Sequence, residues 1–158
     1  MYNSIPFKAL SLILLAVMAC STAEPGGGEG ENPRFGVWQM DSDAPPPAIN
    51  IMTYEPYGEN GMRITVESTN SEGRESKWGY VTLFDGEFMD VEGQENSKTA
   101  VEIVDDRTNK ISNMRNGQVN QIIMNVLSED GNIIDNEYIR TGPDGEQRVS
   151  RAVYRRKN

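Results

Sequence analysis

The side chains in this sequence best equipped for chemistry are carboxylates: Asp41 and Asp43 on either side of Ser42, and the pairs Asp105-Asp106 and Glu129-Asp130. Two acids converging in a cleft can divide general acid and general base duties, and several oxygen ligands together can hold calcium. None of these groups has EF-hand spacing, and each falls in a turn, where Asp is favoured for backbone geometry. The chain contains no histidine and a single cysteine, Cys20. The Ser-His and Cys-His pairings and the commonest metal ligand are therefore excluded. No nucleophile elbow or phosphate-cradling glycine loop is present, since Gly26-Gly27-Gly28 lies in a segment without apolar periodicity. The expectation is a protein with no catalytic residues, no metal site and no cofactor, and not an enzyme.

Two further groups could contact a ligand. Trp78, Tyr80, Thr82 and Phe84 alternate along one segment and share a face, so the three aromatics could line an apolar pocket or simply fill a core. Arg148, Arg151, Arg155, Arg156 and Lys157 make the last segment basic within an acidic chain, either to receive an anion or as a solvated face paired with acids. The chain as a whole carries 15 basic and 24 acidic residues, a net charge of −9. A field of that sign disfavours nucleic acid and anionic lipid surfaces.

The elements that must position these residues are strands. From Arg34 onward, short segments of alternating apolar and polar residues are separated by turn signals at intervals of roughly 8 to 14 residues. Phe35 to Met40 is the first. The Pro45-Pro46-Pro47 stretch then serves as a stiff connection that cannot be a helix interior. Ala48 to Tyr57, Met62 to Glu67, Lys77 to Phe84, Phe88 to Val91, Val101 to Val104, Lys110 to Arg115, Val119 to Leu127, Ile133 to Arg140 and Arg148 to Arg155 follow. Gln94 to Lys98 reads as a polar loop. Asp85-Gly86, Asn116-Gly117, Asp130-Gly131 and Asp144-Gly145 are hairpin signals, because glycine and its Asp or Asn neighbour accept positive φ. No segment in this part has sustained helical periodicity. The fold class is all-β, an antiparallel up-and-down meander of about ten strands, which avoids exposed edges by closing into a barrel.

Several of these residues resemble a known family. Phe35-Gly36-Val37-Trp38 is similar to the opening strand of lipocalin and fatty-acid-binding barrels. Phe84-Asp85-Gly86-Glu87-Phe88, Val91-Glu92-Gly93, Asp105-Asp106-Arg107-Thr108, Asn116-Gly117-Gln118-Val119 and Leu127 to Gly131 resemble bacterial lipocalin-like domains. The resemblance covers Arg34 to about Lys157 and implies a barrel able to hold one small, apolar ligand. Fatty-acid-binding proteins hold the ligand carboxylate through an Arg-x-Tyr pair on the last strand. Here Tyr154 stands at the Tyr position and Ala152 at the Arg position, so that carboxylate site is not carried over. The same proteins place a two-helix lid where this chain has its Pro-rich connection. Candidate ligand contacts are thus Trp78, Tyr80, Phe84 and Tyr154. The alternative is a packed barrel without ligand, acting as a structural or protein-interaction module. An interior above roughly 300 Å³ separates the two.

The N-terminal segment carries an address. Lys8 precedes an apolar run from Ala9 to Met18, about ten residues long and too short for a membrane span of about twenty. Val17-Met18-Ala19-Cys20 then resembles the lipobox of a bacterial lipoprotein. That resemblance implies a signal peptide over residues 1–19, lipidation of Cys20, and anchoring in the cell envelope, at the outer membrane where the host has one. Residues 20–33, rich in Gly, Glu and Pro, form a flexible tether with a reach on the order of 20 Å. The barrel domain occupies 34–158.

Overall fold

A computed structural model describes residues 32–142 and 144–157. The expected signal peptide, the lipidated Cys20 and most of the tether lie outside the described residues. The chain forms ten strands: β1 (Gly36–Met40), β2 (Ile49–Tyr57), β3 (Gly61–Thr69), β4 (Glu75–Thr82), β5 (Met89–Asp90), β6 (Ser97–Asp105), β7 (Thr108–Arg115), β8 (Gln118–Leu127), β9 (Ile133–Thr141) and β10 (Gln147–Lys157). All pair antiparallel in one sheet of order β4-β3-β2-β1-β10-β9-β8-β7-β6-β5. Pairing of β1 with β10 curls this meander into a nearly closed barrel, and no helix is present among the described residues.

Closure at the remaining seam includes a reciprocal pair of backbone hydrogen bonds. Gly79 N–H donates to the Glu92 carbonyl at 3.1 Å, and Glu92 N–H donates back to Gly79 at 2.8 Å. The approach is tight enough to require glycine nearby, since a Cβ on Gly93 would lie 2.6 Å from the Lys77 carbonyl oxygen. At Asn116-Gly117 both residues have positive φ, 50° and 77°, as a two-residue hairpin between right-twisted strands demands. The acidic pairs singled out from the sequence serve such corners. Asp105 accepts from Arg107 N–H at 2.9 Å, and Asp130 accepts from Ser128 Oγ at 2.6 Å and Asn132 N–H at 3.1 Å. The Ser128 hydroxyl and the Asn132 donors hold the Asp130 carboxyl below its ordinary pKa, as a carboxylate that accepts several bonds should be. Among the described residues no three Asp, Glu, His or Cys side chains converge as metal ligands would.

Most strand ends lie within two residues of the sequence reading, and the differences that matter fall in β4, β5 and β6. β4 ends at Thr82, because the Thr82 hydroxyl captures Phe84 N–H at 2.9 Å and Phe84 takes a positive φ of 61°. Phe84 is thus off the strand on which alternation had placed it with Trp78 and Tyr80. Ser97 and Lys98, expected in a loop, open β6 and pair with Arg115 and Met114 of β7. Their polarity misled because Ser97 and Thr99 point into the barrel, where both are buried. The Phe88 to Val91 strand shrinks to Met89–Asp90.

A meander puts alternate turns at opposite ends of the barrel. One end is filled. Trp38 and Ile134 are fully buried there, with Leu127 beside them. The indole N–H of Trp38 donates to the Arg34 carbonyl at 2.8 Å, and the Arg156 guanidinium lies 4.2 Å from the Trp38 ring centroid. Arg156 also donates to the carbonyls of Gly131 at 3.0 Å, Phe35 at 2.7 Å and Pro33 at 2.6 Å. Pro33, read from composition as the end of the tether, is thus tied to the barrel base. The basic last strand is otherwise a solvated face, with Arg155 on Asp41 at 2.8 Å and Arg151 on Glu137 at 3.5 Å.

Candidate ligand-binding cavity

Toward the other end the barrel is hollow. A cavity of about 520 Å³ occupies the interior, walled by Met52, Ile64, Val66 and Ile111 in its deeper part. Its outer part is formed by Gln94, Lys98, Arg115, Asn120 and Arg140, all exposed, at the end where β5 leads to β6, β7 turns into β8, and β9 into β10. That end is the mouth. The Pro-rich connection between β1 and β2 lies at the same end, and its residues 41–47 are exposed.

Of the four residues expected to meet a ligand, Trp78, Tyr80 and Tyr154 line this cavity. Phe84 does not; it packs against the core from outside the strand, for the reason given above. Trp78 and Tyr80 lie with their rings nearly parallel, 6.3 Å between centroids and 12° between planes. Among the described residues four tyrosines face the cavity, Tyr54, Tyr80, Tyr138 and Tyr154. Burial pushes the phenols of Tyr54, Tyr80 and Tyr154 well above the ordinary tyrosine value, so each stays neutral and offers an O–H. Tyr154 uses its own toward Asn50 Oδ1, 3.3 Å away.

A group that stays protonated when folded but ionises near pH 10 when unfolded stabilises the fold fully below that pH, and the contribution is lost as pH rises through the folded value. Stability should therefore fall above about pH 10. Absorbance titration of the folded protein should leave these three phenols un-ionised until the barrel opens. Ionisation of all tyrosines with the far-ultraviolet circular dichroism intact would contradict the burial of these side chains.

Sequence reasoning missed the polar half of the lining. Thr99 of β6, Asn113 of β7, Gln121 of β8 and Arg140 of β9 are Cα partners in successive strand pairs and so stand in one row across four strands. Thr99 Oγ1 is 2.8 Å from the Asn113 amide, which is 2.8 Å from that of Gln121. Arginine can only donate, so Gln121 turns its carbonyl oxygen to Arg140, 2.6 Å from Nε and 3.2 Å from Nη2. Deeper, Asn125 is fully buried and accepts from Arg34 Nε at 3.0 Å while donating to Asn136 Oδ1 at 2.8 Å. Arg34 also donates to the Arg107 carbonyl, and its burial lowers the pKa of its guanidinium.

Among the described residues the lining contains no carboxylate, although the chain holds 24 acidic residues; its ionic groups are Lys98, Arg115 and Arg140. The site can enclose the apolar body of a small molecule against Trp78, Ile64 and Val66 and meet polar atoms with tyrosine hydroxyls and the amide row. Two crystal structures of variants of the fluorescent protein UnaG share this architecture. One matches with a TM-score of 0.56, at 13% identity, over 80% of this chain and 97% of that one. The other, with a different replacement of an asparagine, gives 0.53 at 13% identity over 77% and 94%. The fold is calycin-like. Within that fold, the calycin-like barrel of this chain has an interior large enough for a guest and a mouth edged by cations. No protein-family model and no curated protein sequence matches the chain.

Proposed function

We infer that this protein is a binding protein whose calycin-like barrel takes up a small amphipathic molecule, rather than an enzyme. One observation carries the reading: the interior holds a continuous cavity of about 520 Å³, within the range of roughly 300 to 1,000 Å³ typical of ligand sites. The small apolar ligand that the resemblance implies is narrowed here to an amphipathic one, because about half of the wall is hydroxyl, amide and guanidinium. A barrel packed solid by its own side chains would have left no such space.

The uncharged probe phenylnaphthylamine tests this. It should bind with a blue-shifted, enhanced emission. Val66 is buried, faces the cavity and is the Cα partner of Trp78. Val66→Trp should fill the space and weaken the probe by at least about tenfold, a loss of about 1.4 kcal/mol. Equal binding by the native protein and Val66→Trp, with both folded, would place the probe elsewhere and remove the support for an internal site.

We also propose that Cys20 is lipidated and holds the barrel at the cell envelope on its Gly-rich tether. The support is the sequence of residues 1–33, in which a lone cysteine follows a short apolar run and a small residue. Two or more acyl chains would make attachment stable, where one gives only marginal binding. Cys20→Ala should shift the protein from the membrane to the soluble fraction, and unchanged sedimentation with membranes would refute the anchor.

A further inference from the structure

We propose that the cavity orients its guest with an oxyanion outward, held at the mouth by Arg140 and Arg115. This rests on the interior being a ligand site and adds which chemical group the ligand carries and where that group lies. The uncommitted cations of the site are at the mouth. Lys98 is neutralised by Asp90 at 2.7 Å. Arg148, the Cα partner of Arg140 on β10, is met by Asp144 at 3.6 Å. Arg115 and Arg140 face no carboxylate within 4.0 Å among the described residues.

Arg140 is also positioned. Its Nε and Nη2 are fixed on the Gln121 oxygen, at 2.6 and 3.2 Å, and Gln121 is fixed in turn through Asn113 to Thr99. A four-strand row of hydrogen bonds thus holds one edge of the guanidinium of this exposed arginine at the mouth. An arginine fork held flat in this way suits a carboxylate, sulfonate or phosphate better than a flexible ammonium would. The deep end offers no equivalent partner. Ala152 on β10 has no charge, and the deep Arg34 is already committed to Asn125 and the Arg107 carbonyl. Among the described residues the lining holds no carboxylate, so no described wall group of like charge faces an anion in the site, whereas the acidic exterior repels it.

Two dyes with the same aromatic skeleton separate charge from shape: anilinonaphthalene sulfonate and its uncharged parent, phenylnaphthylamine. The quantity read is the ratio of their affinities in low salt for the full chain and for Arg140→Gln, Arg115→Gln and the double variant. The sulfonate should bind more tightly than the parent. Each single variant should lower that ratio by about tenfold, as loss of a hydrogen bond to a charged group does. The double variant should abolish the preference, the sulfonate being compared with the parent on that same variant. Arg151→Gln, on the outer face against Glu137, should leave the ratio as it was. A preference that survives the double variant, with the parent still bound, would overturn the orientation while leaving the cavity as a site. Failure of the native protein to bind either dye would instead overturn the reading on which it rests. All these side chains are exposed, so unchanged melting temperatures should accompany the variants.

Discussion

Trp38→Ala should cost about 3 to 5 kcal/mol of unfolding free energy, the usual penalty for deleting a large buried aromatic. Trp38 has 0% exposure and stands at the closed end, where it is both packed and bonded. Its N–H satisfies the Arg34 carbonyl, and its ring face carries the Arg156 guanidinium at 4.2 Å. Removing the indole leaves a cavity, an unpaired carbonyl and a cation without its aromatic surface. Arg156 in turn links the β8–β9 turn to the chain before β1 through Gly131, Phe35 and Pro33, so the loss should spread to the barrel closure. Urea unfolding followed by circular dichroism measures it. The comparison that gives the number meaning is Trp78→Ala. Trp78 is only half-buried and faces the hollow part, and its loss should cost less than about 1.5 kcal/mol because the cavity already exists there. Equal costs for the two tryptophans would contradict the division of the barrel into a filled and a hollow end.

Asn125→Leu should be nearly as damaging, on the order of 3 kcal/mol, although leucine has the same branching as asparagine and is more apolar. Asn125 is 1% exposed and links two buried groups: its oxygen accepts from Arg34 Nε at 3.0 Å and its amide donates to Asn136 at 2.8 Å. Leucine would leave the guanidinium of Arg34, itself 3% exposed, with only the Arg107 and Asn125 carbonyls for partners. The cost therefore lies in the abandoned cation and not in lost packing. Arg34→Met removes that cation and should recover part of the stability in the double variant. A double-mutant cycle should give a coupling of about 1 to 3 kcal/mol. Additive effects of the two substitutions would mean that Asn125 contributes by shape alone.

What the sequence made legible is what is local. Strict alternation in Met62, Ile64 and Val66, and Asp-Gly or Asn-Gly at the corners, encode strand and turn within a few residues. The number of strands, their antiparallel order and the closure of the meander followed from them. Trp78 and Tyr80 reached the cavity because period-two alternation reports which face a side chain takes, and Tyr154 was found through the resemblance of the last strand to that of fatty-acid-binding barrels. Phe84 did not, because one hydroxyl, that of Thr82, ended the strand early, a contact no alternation pattern contains. The Thr99, Asn113, Gln121 and Arg140 row was hidden for a different reason. Its members lie on four strands, and only register brings them level. A polar residue on a strand also reads as solvent-facing, whereas these point inward. A signal was nonetheless present: in β7 the inward face runs Ile111, Asn113, Arg115, and in β8 it runs Ile123, Gln121, in each case from apolar to polar toward the same end. An inward face that changes polarity along its length marks a wall between a core and a wet mouth.

If the hollow end of the barrel is occupied by a guest in the cell, native mass spectrometry of the full chain purified from its own host should detect it. The spectrum should show a discrete added mass that is released on unfolding, belongs to an acidic amphipathic molecule and is absent from Val66→Trp prepared in the same way. Recovery of the native protein only as the bare polypeptide, under conditions that preserve the folded barrel, would contradict that occupancy.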